Sequence, residues 1–170
     1  AAAVSLVRAI RQSTGIRAGI KWPNDIQIKG RKVAGILTEM SAEIDHVRHV
    51  ILGIGIDVNQ TASDFTGELS SIATSLKLAF GKAVDRAQLA EQILRELDAD
   101  YERILNHQFP VIAEEWAAHC TTIGKEVIVD IGPRRISGRA EALDESGALL
   151  VRTQHGRMER VIGGDVTLTK

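Results

Sequence analysis

The side chains best suited to carry chemistry are concentrated in residues 21–25, which have the sequence Lys-Trp-Pro-Asn-Asp. Pro23 fixes its own backbone and disfavours a helix at Trp22, so the pattern predicts an extended, rigid segment from which Lys21 projects. An ammonium group held in this way can stabilise the negative charge that develops when a carboxylate attacks a nucleotide phosphate. A plainer interpretation stays open, in which Lys21 is a surface strand lysine whose stem packs on Trp22 and residues 24–25 form a simple turn.

Two further segments combine glycine with residues that can contact a ligand. Residues 30–39 have the sequence Gly-Arg-Lys-Val-Ala-Gly-Ile-Leu-Thr-Glu, and residues 53–59 have Gly-Ile-Gly-Ile-Asp-Val-Asn. Gly35 would let the backbone approach a ligand closely, although packing in a crowded sheet explains it equally well. Gly53 and Gly55 do not form a dinucleotide-binding fingerprint, because the third glycine is missing and no clear helix follows. We interpret them as sheet glycines.

The hydrophobic pattern predicts that these segments lie on an α+β scaffold. Apolar residues at helical spacing predict an opening helix that ends near Gly15. Short apolar runs at 26–28, 33–37 and 50–58, joined by short polar connections, predict antiparallel neighbours in one mixed or antiparallel sheet. Residues 59–69 are polar and without periodicity, which predicts a surface loop.

Helices are predicted next along the chain, followed by a second group of strands. Asp85 is a suitable N-cap for a helix whose apolar residues between 89 and 105 we interpret as one core-facing stripe, and Pro110 suits the first turn of another helix. From residue 123 onward, five short strands separated by tight turns predict a small β-barrel of the SH3-like kind. The predicted domains are residues 1–121 and residues 122–170.

Composition excludes several classes of function. The chain has 170 residues and a net charge of -1, so it shows neither the basic excess of a nucleic-acid surface nor the apolar run of a membrane span. Cys120 is the only cysteine, which excludes an internal disulfide and fits a reducing, cytoplasmic compartment. The five histidines lack the spacing and companions of a zinc site, and no Gly-x-Ser-x-Gly sequence indicates a hydrolase nucleophile.

Taken in order, residues 21–25, 32–39 and 53–59 resemble the central motifs of the biotin protein ligase family. The resemblance continues through the helix at Asp85 to the terminal strands, so it covers nearly the whole chain. It implies a class II synthetase-like catalytic domain, here partial, followed by an SH3-like barrel. Lipoate-type ligases share the general fold, but the first and third of these motifs favour biotin.

The same resemblance implies which residues contact the substrates. In the family, the lysine of the Lys-Trp-Pro-Asn-Asp motif contacts biotin and the biotinyl-adenylate, which makes Lys21 the expected catalytic residue. The implied substrate-binding residues are Lys21, Asn24, Asp25, Lys32, Gly35, Ile36 and Asp57. Asp57 departs from the asparagine that the family usually has near the adenine. An ionised aspartate can accept a hydrogen bond from the adenine amino group, but it cannot donate one to a ring nitrogen.

The family's reaction has two steps, and the resemblance implies both for the intact protein. The biotin carboxylate attacks ATP, with Mg²⁺ neutralising the phosphates, to give biotinyl-5′-AMP and pyrophosphate. A lysine of a biotin carboxyl carrier protein then attacks the mixed anhydride. Family members commonly pair through the central sheet, so a homodimer is also expected. No metal ligand and no contact with nucleic acid or membrane is expected of this chain.

One element of the family has no counterpart in this sequence. The Gly-Arg-Gly-Arg-type loop, which clamps biotin and the nucleotide phosphates, lies upstream of the lysine motif in the family, and residues 1–20 resemble only the helix and strand that lead into that motif. We therefore expect an N-terminal portion to carry the loop in a longer protein, and this chain alone to be weak or inert in catalysis. The competing hypothesis is a non-catalytic binding or assembly module that kept the fold and lost the loop.

Overall fold

The computed structural model describes residues 1–43 and 46–169, and it confirms an α+β fold. No helix in this part of the chain is long and apolar enough to cross a membrane. In chain order the elements are α1 (Ala2–Thr14), β1 (Gly19–Lys21), β2 (Asp25–Ile28), β3 (Arg31–Ala42), β4 (Val47–Ile56), a short 3₁₀ turn (Ala62–Asp64), α2 (Leu69–Ile72), α3 (Leu76–Phe80), α4 (Arg86–Leu105), α5 (Phe109–His119), β5 (Glu126–Ile131), β6 (Arg134–Leu143), β7 (Leu149–Thr153), β8 (Met158–Val161) and β9 (Asp165–Leu168).

The first four strands form one antiparallel sheet in the order β1-β2-β3-β4, which confirms the antiparallel pairing predicted for the runs at 26–28, 33–37 and 50–58. Side chains alternate between its two faces, so Ile26 and Ile28 of β2 are buried while Asp25 and Gln27 are only partly covered. The buried face packs against α1. The opposite face, which carries Asp25, is called the open face below.

Helix α1 covers the buried face of the first sheet. Val4, Leu6, Val7 and Ile10 fall on its inner side, and each is at most 2% exposed. The helix ends at Gly15, which takes the left-handed conformation and donates its backbone N–H to the Arg11 carbonyl at 2.7 Å. The predicted opening helix is therefore confirmed, with its predicted end.

Helix α4 begins as predicted but does not bury all of its apolar residues. Asp85 Oδ1 accepts hydrogen bonds from the N–H groups of Ala87 and Gln88 at 2.9 and 3.1 Å. Leu89 and Ile93 are buried. The single core-facing stripe is wrong, because a step of one residue turns the helix by about 100° and so carries Leu94 away from the side of Ile93. The apolar residues left exposed are Leu94 at 66%, Tyr101 at 58%, Leu105 at 55% and Ile104 at 39%.

The C-terminal strands form a second antiparallel sheet in the order β8-β7-β6-β5-β9. Its inward side chains make a hydrophobic cluster of their own, which includes Val127, Ile136, Leu149 and Val161. The five predicted strands are confirmed. In the part of the chain that the structure describes, no ladder joins the outer strands β8 and β9, so a closed SH3-like barrel stays a prediction.

The segment between α5 and β5 runs beside β1. Ile20 forms a parallel bridge with Cys120, and the Ile20 carbonyl accepts a hydrogen bond from the N–H of Thr121 at 2.8 Å. An added Cβ at Gly19 would overlap Thr121 Cγ2, so the chains approach too closely for a side chain there. The strand that leads into the lysine motif is thus packed directly against the start of the C-terminal region.

Candidate functional site

The register of the first sheet brings three of the predicted site residues into one row. Lys21 pairs with Asp25, Asp25 pairs with Gly35, and Gly35 pairs with Gly55, so the row crosses all four strands. Paired residues point to the same side of a sheet, so all four lie on the open face. Two charged side chains, Lys21 and Asp25, therefore lie in one row with two glycines.

An irregularity in the β2–β3 pairing adds Lys32 to the open face. Ile26 pairs with Ala34 but Gln27 pairs with Lys32, which leaves Val33 as an extra residue on β3. Val33 and Ala34 are 0% and 3% exposed, as expected when a β-bulge turns two successive side chains toward the same side. Without the bulge, strict alternation would put Lys32 on the same side as the buried Ala34. The backbone, rather than the lysine itself, thus determines where this cation lies.

Lys32 and Asp25 form an ion pair at the centre of the open face. Lys32 Nζ lies 2.5 Å from Asp25 Oδ1, and the lysine side chain remains 48% exposed. An added Cβ at Gly35 would lie 3.2 Å from both Cε and Nζ of Lys32, so the lysine crosses the space that a side chain at position 35 would occupy. An ammonium group has three donors, and the bond to Asp25 uses one of them. The remaining donors can bind an anionic ligand above the sheet.

Asp57 follows β4 and lies within electrostatic reach of Lys32. Its backbone N–H donates to the Val33 carbonyl at 2.9 Å, and its backbone carbonyl accepts from Leu76 N at 2.9 Å. Partial burial raises the pKa of the Asp57 carboxyl above its ordinary value, and the positive charge of Lys32 partly opposes that rise. Lys32 therefore interacts with two carboxylates, Asp25 by contact and Asp57 at longer range.

Asn24 and Ile36 are brought together by their own hydrogen bonds. Asn24 Nδ2 donates to the Ile36 carbonyl at 2.8 Å, and the Ile36 N–H donates to the Asn24 carbonyl at 3.0 Å. The Ile36 side chain is 9% exposed and belongs to the core beneath the sheet. These contacts fasten the turn after β1 to β3. Binding of a substrate by Asn24 or Ile36 stays a prediction.

The lysine motif is the tip of a hairpin, which corrects the extended segment expected around Pro23. Lys21 ends β1, residues 22–24 form a turn, and Asp25 begins β2. Proline suits a turn because its φ is already fixed. Lys21 is half-buried, and within residues 1–43 and 46–169 its ammonium group has neither an ion pair nor a hydrogen bond. Trp22 is 3% exposed and packs in the hydrophobic cluster of the second sheet, not on the open face.

A segment that the sequence did not predict to lie near the site returns to Lys32 after the loop that follows β4. Ala73 forms a parallel bridge with Lys32, and Thr74 N donates to the Lys32 carbonyl at 2.8 Å. Thr74 is 7% exposed. The polar composition of residues 59–69 predicts only a loop. No local pattern indicates that the chain returns to β3 at residues 73–74, after this loop.

Comparison with known proteins identifies the family. Residues 1–57 match the sequence model of the biotin/lipoate A/B protein ligase family, and residues 122–168 match that of the biotin protein ligase C-terminal domain. The chain is 42% identical over 167 residues to the bifunctional ligase/repressor BirA of Bacillus subtilis (strain 168), an alignment that covers 98% of this chain and 51% of that protein. The chain belongs to the biotin protein ligase family.

Further relatives and solved structures agree with this membership. The biotin--[acetyl-CoA-carboxylase] ligase of Mycobacterium tuberculosis is 36% identical over 149 residues, covering 87% of this chain and 52% of that protein. The chain thus spans about half the length of these curated relatives. The apo biotin protein ligase of Aquifex aeolicus superposes with a TM-score of 0.85 at 28% identity, covering 99% of this chain and 72% of that one. The Aquifex aeolicus enzyme in complex with biotin and ATP gives a TM-score of 0.81 at 27% identity, covering 99% and 69%.

A cavity of about 690 Å³ lies apart from the open face of this biotin protein ligase family member. It is bounded by Trp22 and Pro23 of the hairpin tip, by α5 and by the second sheet. Neither Lys21, Lys32 nor Asp25 lines it. Its charged lining side chains are all acidic, so none of them offers a positive charge to a triphosphate: Glu114, Glu141, Asp144 and Glu145. We therefore place the candidate site on the open face, where the cations and the bare glycines are.

The side chains of this family member do not form a resident metal site in the residues that the structure describes. No group of three His, Cys, Asp or Glu side chains is placed there to hold a metal ion. Asp25 is already paired with Lys32, and an ammonium competes with a cation for that carboxylate. Mg²⁺ in nucleotide sites is held largely by phosphate oxygens and water, with one or two protein carboxylates.

Proposed function

We propose that the protein containing this chain activates biotin with ATP and transfers it to a lysine of a biotin carboxyl carrier protein. The observation that carries the proposal is the open face itself, where Lys32, paired with Asp25, crosses the space above Gly35 beside the bare surface of Gly55. Relatives named biotin--[acetyl-CoA-carboxylase] ligase and a related structure in complex with biotin and ATP support it.

The first step is adenylation of biotin. A carboxylate oxygen of biotin bonds to the α-phosphorus of ATP, the bond to the β-phosphate oxygen breaks, and pyrophosphate leaves. Both reactants are anionic, so cations fixed where charge develops lower the barrier. In this proposal Lys21 is the catalytic cation, whereas Asn24, Asp25, Lys32, Gly35, Ile36 and Asp57 bind or border the substrates. Mg²⁺ enters with ATP and neutralises phosphate charge.

The second step is transfer to the carrier protein. The amine of the acceptor lysine attacks the carbonyl carbon of biotinyl-5′-AMP, the bond to the phosphate oxygen breaks, AMP leaves, and the amine loses its proton to solvent. No covalent intermediate with the ligase is required. An acceptor must reach the adenylate from outside, and the open face, where Gly55 is exposed and the Lys32 side chain is 48% exposed, is compatible with such an approach.

Biotin-dependent exchange of pyrophosphate into ATP tests the first step in the intact protein, and biotin incorporation into a carrier protein tests the second. Lys21→Ala and Lys32→Ala are each expected to lower exchange by roughly 10²-fold or more, as for loss of a charge-stabilising donor. Lys125→Ala, at an exposed lysine before β5, is the matched control and should retain wild-type exchange. Absence of exchange in the wild-type intact protein would refute the proposal.

We also propose how the chain is organised around this activity. Residues 1–121 would form the catalytic part and residues 122–170 a separate SH3-like barrel domain, supported by two distinct hydrophobic clusters. A free cysteine, Cys120, fits a reducing compartment, so we propose a cytoplasmic protein. Limited proteolysis tests the division, because cleavage near residue 122 should release a fragment that keeps its β-sheet circular dichroism.

A second candidate function rests on the outer part of the first sheet. β4 is an edge strand, and Met40, Val50 and Ile51 of the β3–β4 hairpin are 64%, 55% and 55% exposed. We propose that this edge pairs two copies of the protein as a homodimer. A non-catalytic assembly module would use the same surface, and the exchange assay separates the two functions: such a module associates but supports no exchange.

A further inference from the structure

Trp22 connects the candidate site to the second sheet. It lies in the turn between Lys21 and Asp25, yet its indole packs with the hydrophobic cluster of the C-terminal strands. Its backbone N–H donates to Thr122 Oγ1 at 3.0 Å, and its indole Nε1 donates to the Gly147 carbonyl at 3.0 Å. The turn that positions Lys21 is therefore held from outside its own sheet by two hydrogen bonds as well as by apolar packing.

The position of the Gly147 carbonyl is in turn set by Asp144. Asp144 Oδ1 accepts hydrogen bonds from Ser146 N at 2.9 Å, Ser146 Oγ at 2.7 Å and Ala148 N at 3.0 Å. Asp144 Oδ2 accepts one from Arg160 Nε at 2.6 Å, and Arg160 also donates to Ser146 Oγ at 2.6 Å. One carboxylate thus binds three polar groups of the loop between β6 and β7, and it ties that loop to β8.

The hydrogen bonds to Asp144 favour its ionised form. Hydrogen bonds from the Ser146 hydroxyl and from Arg160, joined by those from the loop amides, hold the pKa of the Asp144 carboxyl well below its usual range. The loop borders the 690 Å³ cavity, as do Trp22 and Pro23, so protein atoms do not fill the space on that side of the contact. Side-chain packing therefore surrounds the contact between Trp22 and Gly147 on one side only. The hydrogen bonds within the β6–β7 loop provide the remaining restraint on this contact.

We propose that Asp144 and Trp22 are positioning residues for the open face: Asp144 shapes the β6–β7 loop, the loop's Gly147 carbonyl fixes the Trp22 indole, and the fixed turn holds Lys21 and Asp25 in register. Neither residue touches the substrates. The expected effect of these two residues on ligand binding rests on the proposed function. Their effect on the turn rests only on the contacts described above. The second sheet thereby has a part in building the ligand site of the first.

The test compares Asp144→Asn, Trp22→Phe and the double variant in the intact protein. Trp22→Phe keeps a ring in the cluster and removes the Nε1–H donor. Each single variant is expected to weaken the binding of biotin in the presence of ATP by roughly fivefold, the effect of about one hydrogen bond. The double variant should lose little more than the larger single loss, because both changes break the same chain of contacts. Asp130→Asn, which removes an exposed pair with Arg135 on the same sheet, is the control and should bind as the wild type does.

Hydrogen exchange of backbone amides gives a readout that does not depend on the ligand. Asp144→Asn and Trp22→Phe should speed exchange in residues 20–25 while leaving α1 unchanged, whereas a general loss of stability would speed both. Ser146→Ala, which removes only a hydroxyl from the loop, provides the same comparison if Asp144→Asn does not fold.

The outcomes separate the inference from the proposed function. A wild-type protein without biotin-dependent exchange activity refutes the function, and hydrogen exchange then still decides whether the loop holds the turn. If the wild type binds biotin and ATP but the two single variants bind equally well, or if their effects on affinity simply add, the positioning role is refuted. Unchanged hydrogen exchange at residues 20–25 in every variant also overturns it.

Discussion

At the scale of single residues, the candidate site depends on glycines, which have no side chain, as much as on its charged residues. Gly35 and Gly55 lie next to each other across β3 and β4; Lys32 occupies the space above Gly35, and the surface at Gly55 is bare. The two glycines differ in surroundings. An added Cβ at Gly35 would meet Lys32, whereas one at Gly55 would meet no atom within 4 Å. Position 55 therefore offers a way to fill the ligand space without disturbing the protein.

Gly55→Ala is expected to weaken ligand binding without destabilising the fold. The added methyl group contacts nothing in the described protein, and alanine tolerates the extended backbone of a strand. The free energy of unfolding, measured with urea, should therefore stay within about 0.5 kcal/mol of wild type. An adenylate lying against the sheet would meet the methyl group, and we expect at least a roughly tenfold loss of affinity for biotin with ATP by calorimetric titration. Unchanged affinity would show that the ligand does not lie over position 55.

Asp57→Asn is expected to tighten nucleotide binding. An asparagine amide can both accept from the adenine amino group and donate to a ring nitrogen, whereas the ionised carboxylate can only accept. One added hydrogen bond corresponds to about 1 kcal/mol, so the dissociation constant for ATP should fall roughly fivefold in calorimetric titration. Asp98→Asn, at an exposed aspartate of α4, is the matched control. Weaker binding by Asp57→Asn would mean that the carboxylate itself, through its attraction to Lys32, is what the site requires.

At the scale of elements, the helices that support the first sheet are joined by one partly buried cation. Arg8 of α1 reaches Asp100 at 2.5 Å, Glu96 at 2.7 Å and Glu115 at 2.7 Å, on α4 and α5. Asp100 is fully buried and also accepts a hydrogen bond from Ser5 Oγ at 2.7 Å. Burial alone would raise the pKa of Asp100, but the hydrogen bonds from Arg8 and Ser5 outweigh it and lower that pKa.

Asp100→Asn is expected to destabilise the fold by about 3–5 kcal/mol at pH 7, as for removal of one partner from a buried ion pair. Because the folded pKa of Asp100 lies below its unfolded value of about 3.9, its contribution is fully present above that pH and is lost as pH falls through the folded pKa. Urea unfolding at pH 7 and at pH 3 should therefore show a smaller gap between wild type and variant at pH 3. Glu91→Gln, which removes an exposed pair with Arg95, should cost under about 0.5 kcal/mol. If the difference in unfolding free energy between wild type and Asp100→Asn did not change with pH, the charge of Asp100 would not be what stabilises the fold.

The elements also show which features a sequence can predict. Gly15 at the end of α1 and Asp85 at the start of α4 act within a few residues, so their local patterns predicted both helix ends correctly. Trp22 is different, because its partners Thr122 and Gly147 lie 100 and 125 residues away along the chain. The bulge that places Lys32 depends likewise on how two strands pair. Local residue types predicted the elements and the motif, but strand pairing decided that Lys32 lies on the open face, and contacts with distant segments hold Trp22.

At the scale of the whole molecule, the β3–β4 hairpin extends well past the strands beside it. β3 has 12 residues and β4 has 10, whereas β1 and β2 have 3 and 4. The outer half of the hairpin therefore has no neighbouring strand in the described part of the chain. Met40 and Val50 face each other there and are 64% and 55% exposed. An apolar edge of this kind is a surface on which a second copy can pair.

Val50→Lys is expected to abolish self-association while leaving the folded protein intact. A lysine on an edge strand opposes pairing, because association would bury its charge. Sedimentation velocity at several concentrations of the intact protein should show wild-type dimers increasing with concentration and Val50→Lys remaining monomeric. Leu94→Lys, at a residue of α4 that is 66% exposed, is the matched control and should dimerise as wild type does. If Leu94→Lys were monomeric and Val50→Lys dimeric, the interface would lie on α4, and the exposed hairpin would need another explanation.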